Sequence, residues 1–346
     1  MSCGLLQKKD QRFIGNNPFY EAQYRNYYER PNVERFDRGR YVAMAEWMKS
    51  AIGDDFSPRS ILDVGCGAGW SMEATQQIYT TATIAGVEPS IANAKKARSA
   101  GFDVLSARFG NGAMLPKPYD LIYSNNVLQH VTDLAGYFRD LAANVTADGC
   151  IAMILPDATD PSNEMLWCDH NYSFRPKDLL ALARPAGLRV CNWQSNPPDN
   201  ALLHKQMIIL TRADRSRVQV DYPERPLCGD ALFGRRSLYM SKWQGLDGEL
   251  VRRSAGHTRI FNFGASMWTW LLAGYCPNYW GSVSACLVDG GTGRCIDKAV
   301  ASPADIEFVE GDCIVLGVNP VNQAGFARRL RGLGIDIVGW ADKISA

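Results

Sequence analysis

The sequence lacks an excess of charge of either sign and lacks any apolar run of membrane-spanning length. Its 346 residues include 37 Lys and Arg against 36 Asp and Glu, a net charge of +1. Proteins that bind nucleic acid or anionic membranes concentrate cations on one face. The longest apolar runs, such as Ile151 to Leu155, have strand length and fall far below the roughly 20 residues that span a bilayer. We therefore expect neither nucleic acid nor membrane as a partner.

The ten cysteines include no Cys-x-x-Cys pair. Neither a zinc ribbon nor a redox dithiol can be assembled from this spacing, so no metal is expected. The segment from Met1 to Phe13 is polar and has no apolar stretch of signal-peptide length. The expectation is a cytoplasmic protein with reduced, mostly buried thiols.

Short β-rich runs alternate with amphipathic segments from residue 60 to about residue 211, which is typical of a parallel sheet covered by helices. Seven strands are predicted, at Ile61–Val64, Thr83–Val87, Asp103–Leu105, Leu121–Ser124, Cys150–Leu155, Leu188–Trp193 and Gln206–Leu210. Seven strands suit one doubly wound α/β domain.

A second, smaller α/β pattern of four or five strands follows near the carboxyl end, and it predicts a second Rossmann-like unit. At about 150 residues per domain, the length fits two domains. The predicted organisation is a helical cap at 1–50, the larger domain at 51–215, a connector at 216–256 and the smaller domain at 257–346.

A glycine-rich loop follows the first predicted strand and precedes a helix. It reads Asp-Val-Gly-Cys-Gly-Ala-Gly-Trp from Asp63 to Trp70. Glycines allow a tight turn and close approach of a ligand, and the helix start offers unpaired N–H groups. A dinucleotide fingerprint has a glycine where this sequence has Trp70. The bulky ring argues against NAD.

The loop resembles motif I of the class I S-adenosylmethionine-dependent methyltransferases. Glu88, at the end of the next strand, and the stretch from Tyr119 to Val131 resemble later motifs of that family in the expected order. The resemblance implies a seven-stranded Rossmann-like methyltransferase fold with S-adenosylmethionine as cofactor. It implies that Asp63 and Gly65 border the methionine part and that Glu88 holds the ribose. The other implied cofactor-binding residues are Gly67, Gly69, Arg108, Phe109, Ser124 and Asn125, with a plain core role for Phe109 left open.

Three stretches also resemble a narrower group, the nucleotide-sugar C-methyltransferases. They are residues 125–134, residues 167–179 and the carboxyl-terminal α/β pattern. This resemblance implies a sugar acceptor, free or nucleotide-linked. The sequence departs from the group. The group's catalytic tyrosine falls on Trp167, and its glutamate is replaced by Asp169. We expect no amino-terminal zinc domain like the group's, because Cys3 has no partner cysteine nearby. Methylation at carbon or at oxygen therefore stays open, as does another polar small molecule as acceptor.

His170 is the candidate general base, or the donor to a developing oxyanion, since imidazole titrates near neutral pH. Asp169 is its candidate partner, which requires an irregular loop because neighbouring residues of a strand point to opposite faces. His130 is a second candidate for acid or base work, with backbone-satisfied packing as the alternative. The candidate acceptor-binding residues are Tyr24, Tyr28, Asn126 and Trp167, although the two tyrosines fit a helix packed on the core equally well.

In the smaller domain, Gly264 and Asp289 are placed to hold a ribose or nucleotide, or Gly264 serves only to turn the chain. The leading hypothesis is a methyltransferase acting on a sugar or similar small molecule. The alternative is a non-catalytic module that binds S-adenosylmethionine and acts through a protein partner, which the tryptophan at position 167 motivates. The oligomeric state is not predicted.

Overall fold

The computed structural model describes residues 5–7, 33–110, 112, 115–195, 205–214 and 229–344. These form two compact units, one within residues 1–232 and one within 233–346. In the first unit the strands are β1 (Leu6–Gln7), β2 (Ser60–Val64), β3 (Thr83–Val87), β4 (Asp103–Leu105), β5 (Tyr119–Asn125), β6 (Val145–Pro156), β7 (Tyr172–Ser173), β8 (Leu188–Ser195) and β9 (Lys205–Arg212). Its helices are α1 (Val33–Ile52), α2 (Trp70–Ile78), α3 (Ile91–Ser99), α4 (Leu134–Asn144) and α5 (Pro176–Ala183).

The first unit is built on a seven-stranded sheet in the order β4-β3-β2-β5-β6-β9-β8. All neighbours pair in parallel except β9, which is antiparallel to both β6 and β8. One face packs on α4 and α5, and the other packs on α1, α2 and α3. Because both faces are buried, the strands appear in the sequence as nearly continuous apolar runs. The predicted seven-stranded α/β fold is confirmed.

The strand order changes direction between β2 and β5. From β2 the chain proceeds to β3 and β4 on one side, and then returns to β5 on the other side. In open α/β sheets, ligands bind outside the carboxyl ends of the strands at such a switch point. The glycine loop after β2 and the polar segment after β5 therefore lie on the same edge of the sheet.

The second unit carries a six-stranded sheet in the order β12-β13-β11-β10-β14-β15. Its elements are α6 (Gly229–Arg253, which begins four residues before the unit boundary), β10 (Arg259–Phe263), α7 (Met267–Tyr275), α8 (Pro277–Ser282), β11 (Val283–Leu287), β12 (Gly293–Cys295), β13 (Lys298–Ala301), β14 (Asp312–Leu316), α9 (Gln323–Leu330), β15 (Asp336–Val338) and α10 (Ala341–Ile344). The sheet has six strands, including the antiparallel pair β12–β13, whereas four or five were predicted. It escaped prediction because both strands are short and carry charged residues.

The carboxyl ends of β10 and β14 approach closely in the second unit. Gly264 has a φ of +123°, and a Cβ there would come within 2.6 Å of the carbonyl oxygen of Gly317. Asp289 accepts two hydrogen bonds from Arg329, at 2.7 and 3.2 Å. Gly264 thus allows the ends of β10 and β14 to pack closely. Binding of a nucleotide at Gly264 and Asp289 stays a prediction.

The domain boundaries also stay predictions, although α6 supplies regular helix over much of the expected connector. Among the helices described above, none is both long and apolar enough to cross a membrane.

Candidate active site

The glycine loop makes a tight turn between β2 and α2. Gly65, Gly67 and Gly69 have φ angles of 79°, 56° and 90°, in the left-handed region that other residues adopt only with strain. The backbone N–H groups of Gly65 and Cys66 both donate to the carbonyl oxygen of Val87, at 2.7 and 3.2 Å. A Cβ on Gly65 would overlap Cγ2 of Val127 in the segment after β5. These glycines bring the loop against the neighbouring strand ends.

Glu88 follows β3, and its carboxylate is fixed by backbone groups. One oxygen accepts from the N–H of Gly67 at 2.9 Å and the other accepts from the N–H of Ser90 at 2.7 Å. The side chain is 6% exposed, and burial raises the pKa of Glu88 while these two hydrogen bonds oppose the rise. Since a carboxylate has about four lone-pair sites, Glu88 can still accept from two hydroxyls. A ribose diol fits that capacity.

Asp63 is the buried carboxyl group of the loop, with 1% exposure. Burial raises its pKa to about 7, an effect that the neighbouring Ser71 and Tyr123 hydroxyls counter and the charge of Glu88 adds to. The Ser71 hydroxyl donates to one carboxylate oxygen. A carboxyl group with this pKa loses its charge just below neutral pH, and a cationic ligand would stabilise the charged form.

The remaining cofactor candidates lie at the ends of β4 and β5. Ser124 is buried, and Asn125 has a buried side-chain oxygen with no hydrogen-bond partner among the described residues. Such an orphaned acceptor, together with Glu88, fits a ligand that carries hydroxyl or amino donors. Phe109 packs edge-on against Tyr137 in the core, with ring centroids 5.4 Å apart. This contact favours the core role for Phe109, while Arg108 beside it is half-buried.

His130 ends a short 3-10 helix, Leu128–His130, directly after β5. Its Nδ1 lies 2.9 Å from the carbonyl oxygen of Asp169 and 3.5 Å from the Asp169 carboxylate. A carbonyl oxygen only accepts, so Nδ1 carries a proton and Nε2 is the basic nitrogen of the neutral ring. The Gln129 side-chain amide lies 3.3 Å from Nε2. Asp169 is therefore positioned to stabilise a His130 imidazolium.

His170 lies beside His130, with ring centroids 5.0 Å apart in an edge-to-face arrangement. Its Nδ1 is 3.8 Å from the carboxylate of Glu164, which is 5% exposed. The site thus holds two histidine–carboxylate pairs, His130 with Asp169 and His170 with Glu164. The predicted pair, Asp169 and His170, lies in one loop. The imidazole within hydrogen-bond reach of Asp169, however, is that of His130.

Backbone and side-chain hydrogen bonds hold the two histidine-bearing segments together. The N–H of Asn171 donates to the carbonyl oxygen of Gln129 at 2.8 Å, and its side-chain amide donates to the carbonyl oxygen of His130 at 3.2 Å. Strand β7 follows this loop and pairs with β1. The irregular loop that a joint role of Asp169 and His170 requires is therefore present, and hydrogen bonds hold it to the segment that carries His130.

His130, Asp169 and His170 also offer ligand atoms within 4.8 Å of one another. Two histidines and one carboxylate form a ligand set that suits a transition metal with open positions. The sequence-based expectation of no metal considered cysteine spacing alone, and it stays a prediction.

Lys205 is the first residue of β9 and lies opposite Pro156 at the carboxyl end of β6. Its ammonium donates to the side-chain oxygen of Asn126, which has a φ of 57°. Burial lowers the pKa of Lys205 to about 7, and the charge of Arg40 lowers it further while that of Glu164 raises it. A predicted acceptor residue, Asn126, is thereby joined to a lysine that the sequence did not single out.

Sequence reasoning brought together His130, Asp169, His170 and Asn126, and the structure places all four at the same sheet edge. Trp167 is half-buried in the loop before His170, and its carbonyl oxygen accepts a hydrogen bond from the backbone N–H of His170. Tyr24 and Tyr28 lie outside the described residues. Glu164 and Lys205 were missed: a glutamate six residues before a histidine and a lone lysine carry no sequence motif.

Comparison with known proteins finds methyltransferases among the matches. Residues 36–195 match a family described as Methyltransferase domain. The trans-aconitate 2-methyltransferase of Acidovorax sp. (strain JS42) is 32% identical over 114 residues, covering 32% of this chain and 43% of that protein. The malonyl-[acyl-carrier protein] O-methyltransferase of Legionella pneumophila subsp. pneumophila is 30% identical over 105 residues, covering 28% and 35%. The chain thus spans half or less of the length of these curated relatives.

Among solved structures, an S-adenosylmethionine-dependent methyltransferase from Mesorhizobium loti is 17% identical with a TM-score of 0.41, covering 49% of this chain and 96% of that one. The family match covers β2 to β8 with the glycine loop, Glu88 and both histidines. Residues 36–195 therefore match a methyltransferase domain, and this match implies S-adenosylmethionine as the cofactor.

Proposed function

We propose that the chain transfers a methyl group from S-adenosylmethionine to a polar small molecule at a hydroxyl or an activated carbon. The observation that carries this proposal is the pairing of His130 with Asp169 beside His170 with Glu164, at the sheet edge that holds the glycine loop. When bound, the cofactor supplies an electrophilic methyl group. The residues of this chain align the acceptor and accept its proton.

Two paired histidines favour an acceptor that must lose a proton. A carboxylate acceptor is already ionised at neutral pH and needs no base, whereas a hydroxyl or a carbon beside a ketone does. The basic Nε2 of His130 takes the proton, and the Asp169 carboxylate at 3.5 Å stabilises the resulting imidazolium. His170, with Glu164 behind it, is the candidate to donate to an oxyanion that develops on the acceptor.

Within this proposal the acceptor is a sugar, free or nucleotide-linked. The support is the resemblance of residues 125–134 and 167–179 to the nucleotide-sugar C-methyltransferases. Trans-aconitate 2-methyltransferases and a malonyl-[acyl-carrier protein] O-methyltransferase, the relatives that match, are named for acidic acceptors. A sugar acid or sugar phosphate satisfies both lines of support.

Incubation of the protein with a deuterated-methyl donor and a panel of sugars, sugar phosphates and carboxylic acids tests the proposal. Mass spectrometry then identifies the labelled product and the methylated position. We expect transfer to oxygen or carbon of a sugar derivative. Binding of S-adenosylhomocysteine without transfer to any panel member would favour the non-catalytic binding module instead.

A matched pair of variants separates base chemistry from folding. His130→Asn removes the basic Nε2 and keeps a side chain that donates to the Asp169 carbonyl, so turnover should fall while S-adenosylhomocysteine affinity stays unchanged. His257→Asn, in the second unit, is the control. Assays with and without a chelator decide whether the histidines act as acid–base groups or as metal ligands, because only the second role makes activity depend on added metal.

A further inference from the structure

Lys205 is a half-buried charged group at the sheet edge that holds the glycine loop, and the proposed mechanism does not use it. Because β9 runs antiparallel to its neighbours, its first residue lies at the edge where the parallel strands end. Lys205 pairs in register with Pro156, the last residue of β6. The side chain thereby enters the same edge as the glycine loop and both histidines.

The ammonium of Lys205 has a neutral hydrogen-bond partner. It donates to the side-chain oxygen of Asn126, whose backbone adopts a left-handed conformation with a φ of 57° directly after β5. Within the described part of the chain, no carboxylate oxygen lies within 4.0 Å of this ammonium. Buried lysines are usually paired with a carboxylate, since an unpaired ammonium in the interior is costly.

The charges around Lys205 favour an added negative charge. Arg40 of α1 is close enough for its charge to disfavour a second cation, and burial acts in the same direction. Glu164 is the opposing negative charge, and its carboxylate also lies 3.8 Å from His170. Among the described residues, Lys205 and Arg40 thus share a partly buried region with Glu164, whose carboxylate also lies beside His170.

We propose that Lys205 binds an anionic group, a carboxylate or a phosphate, on the methyl acceptor. This inference rests on the proposed function and specifies the substrate class. An anion within hydrogen-bond distance of the ammonium would supply the counter-charge that the described residues do not place within 4.0 Å of it. The charge of Glu164 acts on Lys205, and its carboxylate lies 3.8 Å from His170, so an acceptor held by Lys205 would present its reacting group toward the two histidines.

Calorimetric titration of the full chain, loaded with S-adenosylhomocysteine, tests the inference. The probes are citrate for the carboxylate arm, inorganic phosphate for the phosphate arm and glucose as the uncharged reference. Lys205→Met keeps the apolar stem and removes the charge, and Lys177→Met, at an exposed position on α5, is the matched control. We expect at least one anion to bind more tightly than glucose, and Lys205→Met to weaken it about 10- to 100-fold.

Wild-type protein supplies a second readout that needs no variant. A lysine with a pKa of about 7 is only about one-tenth charged at pH 8, so anion binding should take up nearly one proton there. Titrations in two buffers of different ionisation enthalpy measure this uptake. Lys177→Met should leave both the affinity and the proton uptake unchanged.

The outcomes separate this inference from the proposed function. Anion affinity that is unchanged in Lys205→Met, or no preference of the wild type for anions over glucose, overturns the role of Lys205 even when S-adenosylhomocysteine binds normally. Failure of the wild type to bind S-adenosylhomocysteine overturns the proposed function instead. Should Lys205→Met fail to fold, the absence of proton uptake in the wild type overturns the inference by itself.

Discussion

Replacing Asp63 by Asn should stabilise the first unit in a pH-dependent way. Asp63 is 1% exposed, and burial raises its pKa from 3.8 to about 7. At 1.36 kcal/mol per pKa unit, ionising this carboxyl group in the folded protein costs about 4 kcal/mol. Asparagine has the same shape, bears no charge and keeps an oxygen that accepts from the Ser71 hydroxyl.

The sign of this effect follows from proton linkage. Below pH 3.8 the carboxyl group is neutral in both folded and unfolded chains, and the substitution changes little. Between pH 3.8 and about 7 the unfolded chain ionises first, so the wild type loses stability as the pH rises and the variant does not. The gain should therefore grow over that range and level off above pH 7, at no more than about 4 kcal/mol.

Urea denaturation of both proteins at pH 4, 6 and 8.5 measures the difference. Hydrogen–deuterium exchange of peptides from β2 and β5 should monitor the transition, because it reports on this unit alone. If the two proteins differ in their free energy of unfolding by the same amount at all three pH values, the prediction is refuted. Such a result would show that burial does not raise the pKa of Asp63. The stabilised variant should bind S-adenosylhomocysteine more weakly, because it lacks the negative charge that a cationic ligand group attracts.

Three further substitutions test the loop, the ribose contact and the histidine pair. Gly65→Ala should destabilise the first unit by about 1–3 kcal/mol, because φ is 79° and the new methyl group overlaps Val127. In the double variant, Val127→Ala should restore part of this loss of stability. If urea denaturation shows that the two losses simply add, the overlap is contradicted. Glu88→Gln should weaken S-adenosylhomocysteine binding about 10-fold in calorimetry, and unchanged affinity would remove Glu88 from the cofactor site. Asp169→Asn should lower the single-turnover rate about 10- to 100-fold with cofactor affinity intact, because the His130 imidazolium loses its carboxylate; an unchanged rate would show that this pair is structural.

The positions of the residues proposed to bind the cofactor were predictable because their signals are local. The loop from Asp63 to Gly69 and the carboxylate Glu88 each stand at the end of an apolar run, and parallel strands bring such ends to one edge. The strands themselves were predictable because a sheet buried on both faces is written as continuous apolar runs. No long-range contact had to be guessed to place these residues together.

The acceptor half depends on contacts between distant parts of the chain. Asp169 meets His130 across 39 residues, and Lys205 meets Asn126 across 79. Neither pairing has a period or a spacing that the sequence displays. Adjacency in the sequence favoured Asp169 as the partner of His170, whereas the loop backbone turns the Asp169 carbonyl toward His130 and leaves Glu164 beside His170.

The antiparallel direction of β9 also constrains how the sheet edge at Lys205 can vary. Six successive pairs, from Ile151 with Leu210 to Pro156 with Lys205, fix its register against β6. The next side chain, Gln206, is fully buried and donates to the carbonyl oxygens of Pro156 and Phe174. A one-residue insertion or deletion within β9 would exchange the faces of the sheet that these two side chains occupy. The side chain that enters this sheet edge at position 205 can therefore change by substitution but not by a change in strand length.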